Sequence, residues 1–103
     1  MNLTNLLSNF LDEQGRVKVY PSKHKYKTLV LFYIASKFEQ DKEYTEIQVN
    51  EIIKANHLFN DHCLLRRALV DYGFLLRTKD CAIYRINKEF PRYEDFPELA
   101  GIL

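Results

Sequence analysis

The fold class is decided by residues 60–87, which read NDHCLLRRALVDYGFLLRTKDCAIYRIN. Asn60 or Asp61 is suited to capping a helix, and Gly73 is suited to ending it. Two short segments of alternating side chains, FLLRTK and AIYRIN, follow and are joined by a turn without glycine. Such alternation indicates paired β-strands. The stretch therefore predicts a helix over residues 61–72 followed by a β-hairpin.

The predicted helix has one apolar face and one face that carries two arginines. With about 100° between successive residues, the core-facing arc comprises Leu64, Leu65, Ala68, Leu69 and Tyr72. The opposite arc comprises Cys63, Arg66, Arg67 and Val70, so both arginines are predicted to point to solvent. A guanidinium there can contact guanine edges with two hydrogen bonds or bind phosphates. The alternative is that Arg67 pairs with Asp71, four residues later, and only solubilises the helix.

The segment before this helix predicts a second one, and together they form a helix-turn-helix. Thr45 and Gln48 make a capping box, and the helix that they open runs to about Ala55. Its acidic residues argue against DNA binding, because the corresponding helix of a DNA-bound winged helix lies near the phosphates. Glu46 and Glu51 would be repelled there if they faced the DNA.

A helix from about Lys23 to Lys37, capped by Ser22, is predicted to be the central one. One apolar face comprises Leu31, Ile34, Ala35 and Phe38, and the other comprises Tyr26, Leu29, Val30 and Tyr33. A helix that is apolar almost all round is normally buried on both sides. The alternative is that one of the two faces is a dimer interface.

The start of the central helix is basic, since it contains Lys23, His24, Lys25 and Lys27. Positive charge at a helix N-terminus opposes the helix dipole, so it needs a local reason, and an anionic partner is one. A solvated helix end is the other interpretation. Together with Arg77 and Lys79 of the hairpin, these residues are candidates for phosphate contacts, which add affinity and salt dependence but no sequence information.

The two ends of the chain are predicted to pack on this core. Residues 3–11, LTNLLSNFL, have apolar residues at helical spacing. The segment RVKVYP alternates as a short strand does, and Pro21 stops it. Residues 88–103 are expected to form an irregular arm with a short helical turn, through Phe90, Tyr93, Phe96, Leu99, Ile102 and Leu103.

Composition indicates one ordinary globular domain over residues 1–103. Hydrophobic residues make up 47% of the 103 residues, and the net charge is only +1, so any nucleic-acid surface must be a local patch. The first residues lack the basic region of a signal peptide, and the longest apolar run, Leu29 to Ala35, is too short to span a membrane. A cytoplasmic protein with free thiols at Cys63 and Cys81 is therefore expected.

No grouping of residues indicates catalysis or metal binding. His57, His62, Cys63 and Cys81 fit none of the usual zinc spacings. Neither cysteine has an evident base beside it, and the three glycines are too scattered to form a phosphate-cradling loop. We therefore expect no enzymatic activity, no cofactor and no metal.

Three segments carry a family resemblance: FLDEQGRVKVYPSKHKYK, YTEIQVNEIIK and LRRALVDYGFLLRTKDCAIYR. They resemble the bacterial domain of unknown function 2087 over about residues 10–85. The resemblance implies a small protein that occurs alone or attached to helix-turn-helix transcriptional regulators, with no established activity. Members of the family often have glycine in the hairpin turn, where this chain has Asp80 and Cys81.

These patterns predict a single α+β, winged-helix-like domain. It has a three-helix core, a C-terminal β-hairpin wing, an N-terminal helix and an irregular arm over residues 88–103. The predicted function is that of a transcription-regulator-like domain that binds double-stranded DNA through helix 61–72 and basic flanks. The candidate contact residues are Arg66, Arg67, Lys23, His24, Lys25, Lys27, Arg77 and Lys79. The alternative is a homodimerisation module, or one that binds a regulatory protein, without direct DNA binding.

Overall fold

The computed structural model describes residues 3–89 and 91–101 and has the predicted α+β architecture. Within these residues, helices occupy most of the ordered structure, and one antiparallel hairpin follows the last α-helix. The α-helices are α1 (Leu3–Leu6), α2 (His24–Ala35), α3 (Glu46–Ala55) and α4 (His62–Asp71). The strands are β1 (Leu75–Arg77) and β2 (Tyr84–Ile86), and short 3-10 turns lie at Ser8–Phe10, Tyr93–Asp95 and Pro97–Leu99.

Helix α2 is central, as predicted, and is buried on both of its apolar faces. It packs against α1, α4 and the last 3-10 turn. Leu29 and Val30, from the face that was a candidate dimer interface, have no solvent exposure within the chain itself. Leu29, Val30 and Tyr33 of this face are therefore covered by the rest of the chain, whereas Tyr26 is half-buried.

The predicted cap of α2 is wrong, although the helix begins within one residue of the predicted start. The helix begins at His24, Lys23 occupies the N-cap position, and no side chain makes a capping hydrogen bond. Ser22 is exposed and does not cap the helix. The helix also ends at Ala35, two residues before the predicted Lys37.

The capping box of α3 is confirmed. The Thr45 hydroxyl accepts from the Gln48 amide at 3.2 Å, and the Gln48 side chain accepts from the Thr45 amide at 2.9 Å. Both donors belong to the first turn, whose amides have no partner within a helix. The helix ends at Ala55 as predicted.

His57 holds together the turn between α3 and α4, a role that the sequence did not indicate. Its ring is buried, and the Asp61 amide donates to Nε2 at 3.0 Å. Because an amide can only donate, Nε2 is the acceptor and Nδ1 carries the hydrogen. Nδ1 therefore donates to the Ile53 carbonyl, 2.6 Å away. The imidazole thus links the last turn of α3 to the cap of α4.

Both predicted ends of α4 are confirmed. The Asp61 side chain accepts from the Leu64 amide at 3.2 Å. At the other end, Gly73 has φ +85°, which glycine adopts without strain. The amide of Phe74 donates to the Leu69 carbonyl at 2.8 Å, and that of Gly73 donates to Val70 at 3.1 Å. This pair of bonds is a Schellman motif, and it turns the chain directly into β1.

The hairpin is confirmed, and its register pairs Leu76 with Arg85 on one face and Arg77 with Tyr84 on the other. Tyr84 is fully buried, and its backbone also forms an antiparallel bridge with Tyr44, which precedes α3. The turn contains no glycine, and Cys81 adopts the left-handed backbone conformation in it, with φ +60°. The hairpin is therefore attached both to the end of α4 and to the residue before α3.

Two predictions about apolar segments are wrong. RVKVYP is not a strand: Val17 makes isolated bridges to Leu11 and His57, and Val19 is 51% exposed. The pairing of this segment within the described residues is limited to these isolated bridges and does not extend into a strand. On α4, Leu64 and Tyr72 of the predicted core arc are 43% and 40% exposed, because the core covers only the middle of that arc.

The C-terminal arm lies over the core, as expected. Leu99 is fully buried, and the rings of Tyr93 and Phe96 pack on Phe32 of α2 at centroid distances of 4.5 and 5.5 Å. The arm is thus part of the domain. The remaining apolar residues predicted for it, Phe90, Ile102 and Leu103, lie outside the described residues.

Candidate nucleic-acid interface

The outer face of α4 and the end of β1 enclose a small cavity, which we call the arginine notch. Its volume is about 240 Å³, and it is lined by Cys63, Arg66, Arg67, Val70, Asp71 and Arg77. The α4 residues recur at intervals of three or four and therefore share one face of the helix. Arg77 reaches the notch from the hairpin because the Schellman turn brings β1 back beside α4. The structure thus brings together three of the predicted site residues.

Arg66 is held inside the protein more than the sequence indicated. Its side chain is only 21% exposed, so the prediction that it points freely to solvent is only partly right. Nη1 donates to the Asn50 side chain at 2.5 Å, and Nε lies 3.6 Å from the Glu46 carboxylate. Helix α3 packs beside α4 and supplies both partners, which fixes the orientation of the guanidinium.

Arg67 points to solvent, as predicted. It is exposed, and the ion pairs within the described residues include none with Asp71. The alternative in which Arg67 serves only as the partner of Asp71 therefore has no support in the geometry. Its charge is available to a ligand.

Tyr84 connects the notch to the first turn of α3. Its hydroxyl donates to Glu46 Oε1 at 3.0 Å, the same oxygen that lies near Arg66. Burial raises the pKa of Tyr84, and the hydrogen bond to Glu46 raises that pKa further, while a hydrogen bond from Arg77 acts in the opposite direction. The hydroxyl thus keeps its proton and remains a donor to the carboxylate.

This connection changes the significance of Glu46. From the sequence, the charge of Glu46 was expected to repel DNA phosphates. In the structure, a tyrosine hydroxyl and a guanidinium already contact its carboxylate. Asn50, Glu46 and Tyr84 were all missed as site residues. The signal that could have found Tyr84 is its place in β2, where alternation puts it on the same face as Arg77.

The basic start of α2 lies apart from the arginine notch, since none of its cations lines the notch. Lys23 and His24 are exposed, and Lys25 and Lys27 are half-buried. The ammonium groups of Lys25 and Lys27 lie 5.3 and 5.6 Å from the ring centres of Tyr26 and Tyr20, within the range of a cation–π contact. Lys79 is exposed in the hairpin turn and likewise does not line the notch.

The C-terminal arm supplies an anion at this helix start. Glu98 Oε2 lies 2.9 Å from His24 Nε2 and accepts from the Thr28 hydroxyl at 2.7 Å. Burial alone would raise the pKa of Glu98, but the Thr28 hydroxyl, the backbone amide of Glu98 and His24 together hold that pKa below its usual value. Part of the reason for the basic start is therefore internal to the chain.

The remaining candidate chemistry is limited. Among the described residues, no three histidine, cysteine or acidic side chains lie close enough together to hold a metal ion. Cys63 and Cys81 are free, and the Cys63 sulfur lies 3.6 Å from His62 Nε2. None of the helices in residues 3–89 and 91–101 has the length and apolar character that a bilayer crossing requires.

The fold and the notch define a small α+β domain in which a recess lined by three arginines joins a helix to a hairpin. Residues 16–86 match the family described as "Uncharacterized protein conserved in bacteria (DUF2087)", and the chain belongs to this family. The resemblance seen in the sequence is thereby confirmed. The match contains α2 to β2 and every residue of the notch, but neither α1 nor the C-terminal arm. No curated protein and no solved structure matches the chain.

Proposed function

We propose that this chain is a DNA-binding domain of the transcription-regulator type, which contacts double-stranded DNA through α4 and the hairpin. The observation that supports the proposal is the convergence of Arg66, Arg67 and Arg77 on one notch. Guanidinium groups are the cations best suited to the oxygen atoms of nucleic acids. Three of them gathered from two elements form a local basic surface on a chain whose net charge is only +1.

The order of elements supports the same proposal. Helices α2, α3 and α4 followed by a hairpin give the sequence of elements of a winged helix, in which the last helix lies against DNA. We assign direct contacts to Arg67 and Arg77, which are exposed. Arg66 contributes charge from a fixed position, since Asn50 already holds it.

In this proposal, the basic residues at the start of α2 and in the hairpin turn contribute less than the notch arginines. Lys79 in the hairpin turn and Lys23 at the start of α2 are exposed and would add phosphate contacts. Lys25 and Lys27 are partly occupied by aromatic rings. His24 is already paired with Glu98, so it contributes least.

The experiment is fluorescence anisotropy with labelled double-stranded DNA of mixed sequence at low ionic strength. Arg67→Ala with Arg77→Ala removes both exposed guanidinium groups and leaves the Arg66 contacts intact. Arg85→Ala is the matched control, because Arg85 is exposed on the opposite face of the same hairpin. We expect the unaltered protein and R85A to bind and the double variant to lose binding. Absence of binding by the unaltered protein, or equal binding by the double variant, would overturn the proposal.

We propose as the second candidate an interaction or dimerisation module without DNA binding. It is favoured by large apolar side chains on the surface that are each at least 40% exposed, namely Val19, Ile47, Leu58, Leu64, Tyr72 and Leu76. Sedimentation velocity tests the dimer version, which predicts a concentration-dependent shift toward twice the monomer mass. A strict monomer at high concentration removes that version.

A further inference from the structure

We infer that the arginine notch is a binding site for a single phosphate group, not a reader of base edges. The inference rests on the proposed function in one respect: in the DNA complex, that group is a backbone phosphate. The occupancy of the notch by phosphate itself needs no DNA and can be measured separately.

The size of the notch selects a small ligand. Its volume of about 240 Å³ lies below the range of roughly 300–1,000 Å³ that is usual for sites of drug-sized ligands and cofactors. A recess of this size accommodates a phosphate group with its first water molecules more readily than a base with its sugar. The recess is also concave, whereas base reading requires side chains that project from a helix into a groove.

The charges of the notch select an anion. Of the side chains that line it, Arg66, Arg67 and Arg77 are cationic and Asp71 is anionic, so three positive charges against one negative leave an excess of two. Glu46 offsets part of the charge of Arg66 from behind, at 3.6 Å from Nε. The surplus therefore lies mainly on Arg67 and Arg77, at the open side of the notch.

The orientation of Arg66 argues for phosphate binding and against base reading. The Nη1 and Nε atoms of Arg66 lie beside Asn50 and Glu46 respectively. These two contacts keep the guanidinium close to α3. A guanidinium that is fixed before the ligand arrives loses little conformational freedom on binding. Three N–H groups of Arg66 are not directed at these partners, and because Arg66 lines the notch, they are left to donate to a tetrahedral anion bound there.

The same network gives Glu46, Asn50 and Tyr84 a role as positioning residues. Tyr84 and Arg66 share the Glu46 Oε1 atom, and Arg77 is the residue paired with Tyr84 across the hairpin. Arg66 and Arg77 are thus connected through the Glu46 carboxylate and strand β2. A ligand between them meets donors whose separation is set by α3 and β2.

The inference has a direct consequence for specificity. Phosphate contacts position a protein on DNA but carry no sequence information. DNA sequences that differ only in base composition should therefore bind with affinities within a few-fold of one another. A base-reading notch would instead discriminate strongly against the wrong base pair.

The test is a titration of the full chain with inorganic phosphate, followed by the side-chain Nε–H signals of the arginines in ¹H–¹⁵N NMR spectra. We expect saturable shifts at Arg66, Arg67 and Arg77 and none at Arg85. Arg67→Ala with Arg77→Ala should weaken phosphate binding by about tenfold or more, since each replacement removes charge-assisted hydrogen bonds. Arg67→Lys, which keeps the charge but not the planar fork, should give an intermediate loss.

The outcomes separate this inference from the proposed function. Equal shifts at Arg85, or no saturation, would overturn the phosphate site even if DNA binds. Saturable shifts at the three notch arginines without any DNA binding would support the phosphate site and overturn the proposed function. DNA binding that varies more than about tenfold with base sequence and is lost in R67A would establish base reading and contradict the inference.

Discussion

The Tyr84 hydroxyl donates to the Glu46 carboxylate, with 3.0 Å between the two oxygen atoms. The bond joins β2 to the first turn of α3, and the same carboxylate oxygen lies 3.6 Å from Arg66 Nε on α4. One acidic side chain on α3 therefore contacts both the hairpin and α4. Since the arginine notch lies between α4 and β1, its shape depends on this bond.

Replacement of Tyr84 by phenylalanine tests the bond. The ring and its packing remain, but Glu46 loses a donor. Hydrogen bonds to charged groups contribute about 1.5–3 kcal/mol, and the half-exposed carboxylate reduces this figure by solvent screening. We expect the free energy of unfolding in urea to fall by about 1 kcal/mol.

Tyr93→Phe is the control for this variant. Tyr93 is half-buried beside Phe32, but its hydroxyl makes no hydrogen bond with the described residues. Its replacement should change the free energy of unfolding by less than about 0.5 kcal/mol. Equal effects of Y84F and Y93F would show that the bond to Glu46 contributes nothing measurable.

The caps of α3 and α2 predict opposite results for two similar changes. Thr45→Ala removes the hydroxyl that accepts from the Gln48 amide and should lower the free energy of unfolding by about 1 kcal/mol. Ser22→Ala should have almost no effect, because Ser22 is exposed and makes no capping bond to α2. Urea denaturation measures the free energy of unfolding of both variants. A substantial decrease in S22A would contradict the observed start of α2.

The ionisation of Glu98 makes the free energy of unfolding depend on pH in the acidic range. Its pKa in the folded chain lies below the ordinary value of 4.5: burial opposes ionisation but is outweighed by the Thr28 hydroxyl, the backbone amide of Glu98 and His24. A lowered folded-state pKa means that the ionised group stabilises the fold at neutral pH. That contribution decreases as the pH falls below about 4.5 and through the folded-state pKa.

Glu98→Gln removes this contribution. The variant should be less stable than the unaltered protein at pH 7, and the difference should shrink as the pH falls toward about 3. Asp12 and Asp80 keep their own lowered pKa values, through the Arg16 amide and the Thr78 hydroxyl respectively, so some acid sensitivity remains in both proteins. Thermal denaturation across this pH range measures the effect, and a constant difference at all pH values would refute it.

The elements that the sequence predicted well are those specified by neighbouring residues. The capping box of α3, the Asp61 cap and the Gly73 stop each depend on groups within five residues of one another. The hairpin follows from strict alternation on both sides of a short turn. Local chemistry of this kind can be recognised without any knowledge of the tertiary fold.

The errors occur where packing between distant segments overrides local preference. Ser22 is a good cap by residue type, yet α2 begins two residues later, where Glu98 from the C-terminal arm pairs with His24. Val17 belongs to an alternating segment, but its backbone partners are Asn56 and Leu58, near the end of α3. Neither contact has a signal in the surrounding sequence.

In the candidate site too, local periodicity was predictable from the sequence and contacts between distant segments were not. Arg67 and Arg77 were recognised because helical and strand periodicity place them outward. The partial burial of Arg66 was not recognised from the sequence, because its partners Asn50 and Glu46 lie 16 and 20 residues away on a different helix. Sequence periodicity indicates which face a residue occupies, but not what the neighbouring helix places against that face.

The salt dependence of DNA affinity tests the central claim, that exposed arginines of the notch bind backbone phosphates, most directly. The logarithm of the association constant falls linearly with the logarithm of salt concentration, with a slope of about −0.9 for each neutralised phosphate. Each arginine that contacts a phosphate should reduce the steepness by about 1 when replaced by alanine. We predict shallower slopes for R67A and for R77A and an unchanged slope for R85A. Identical slopes for all four proteins, or no measurable affinity in the unaltered one, would contradict the claim.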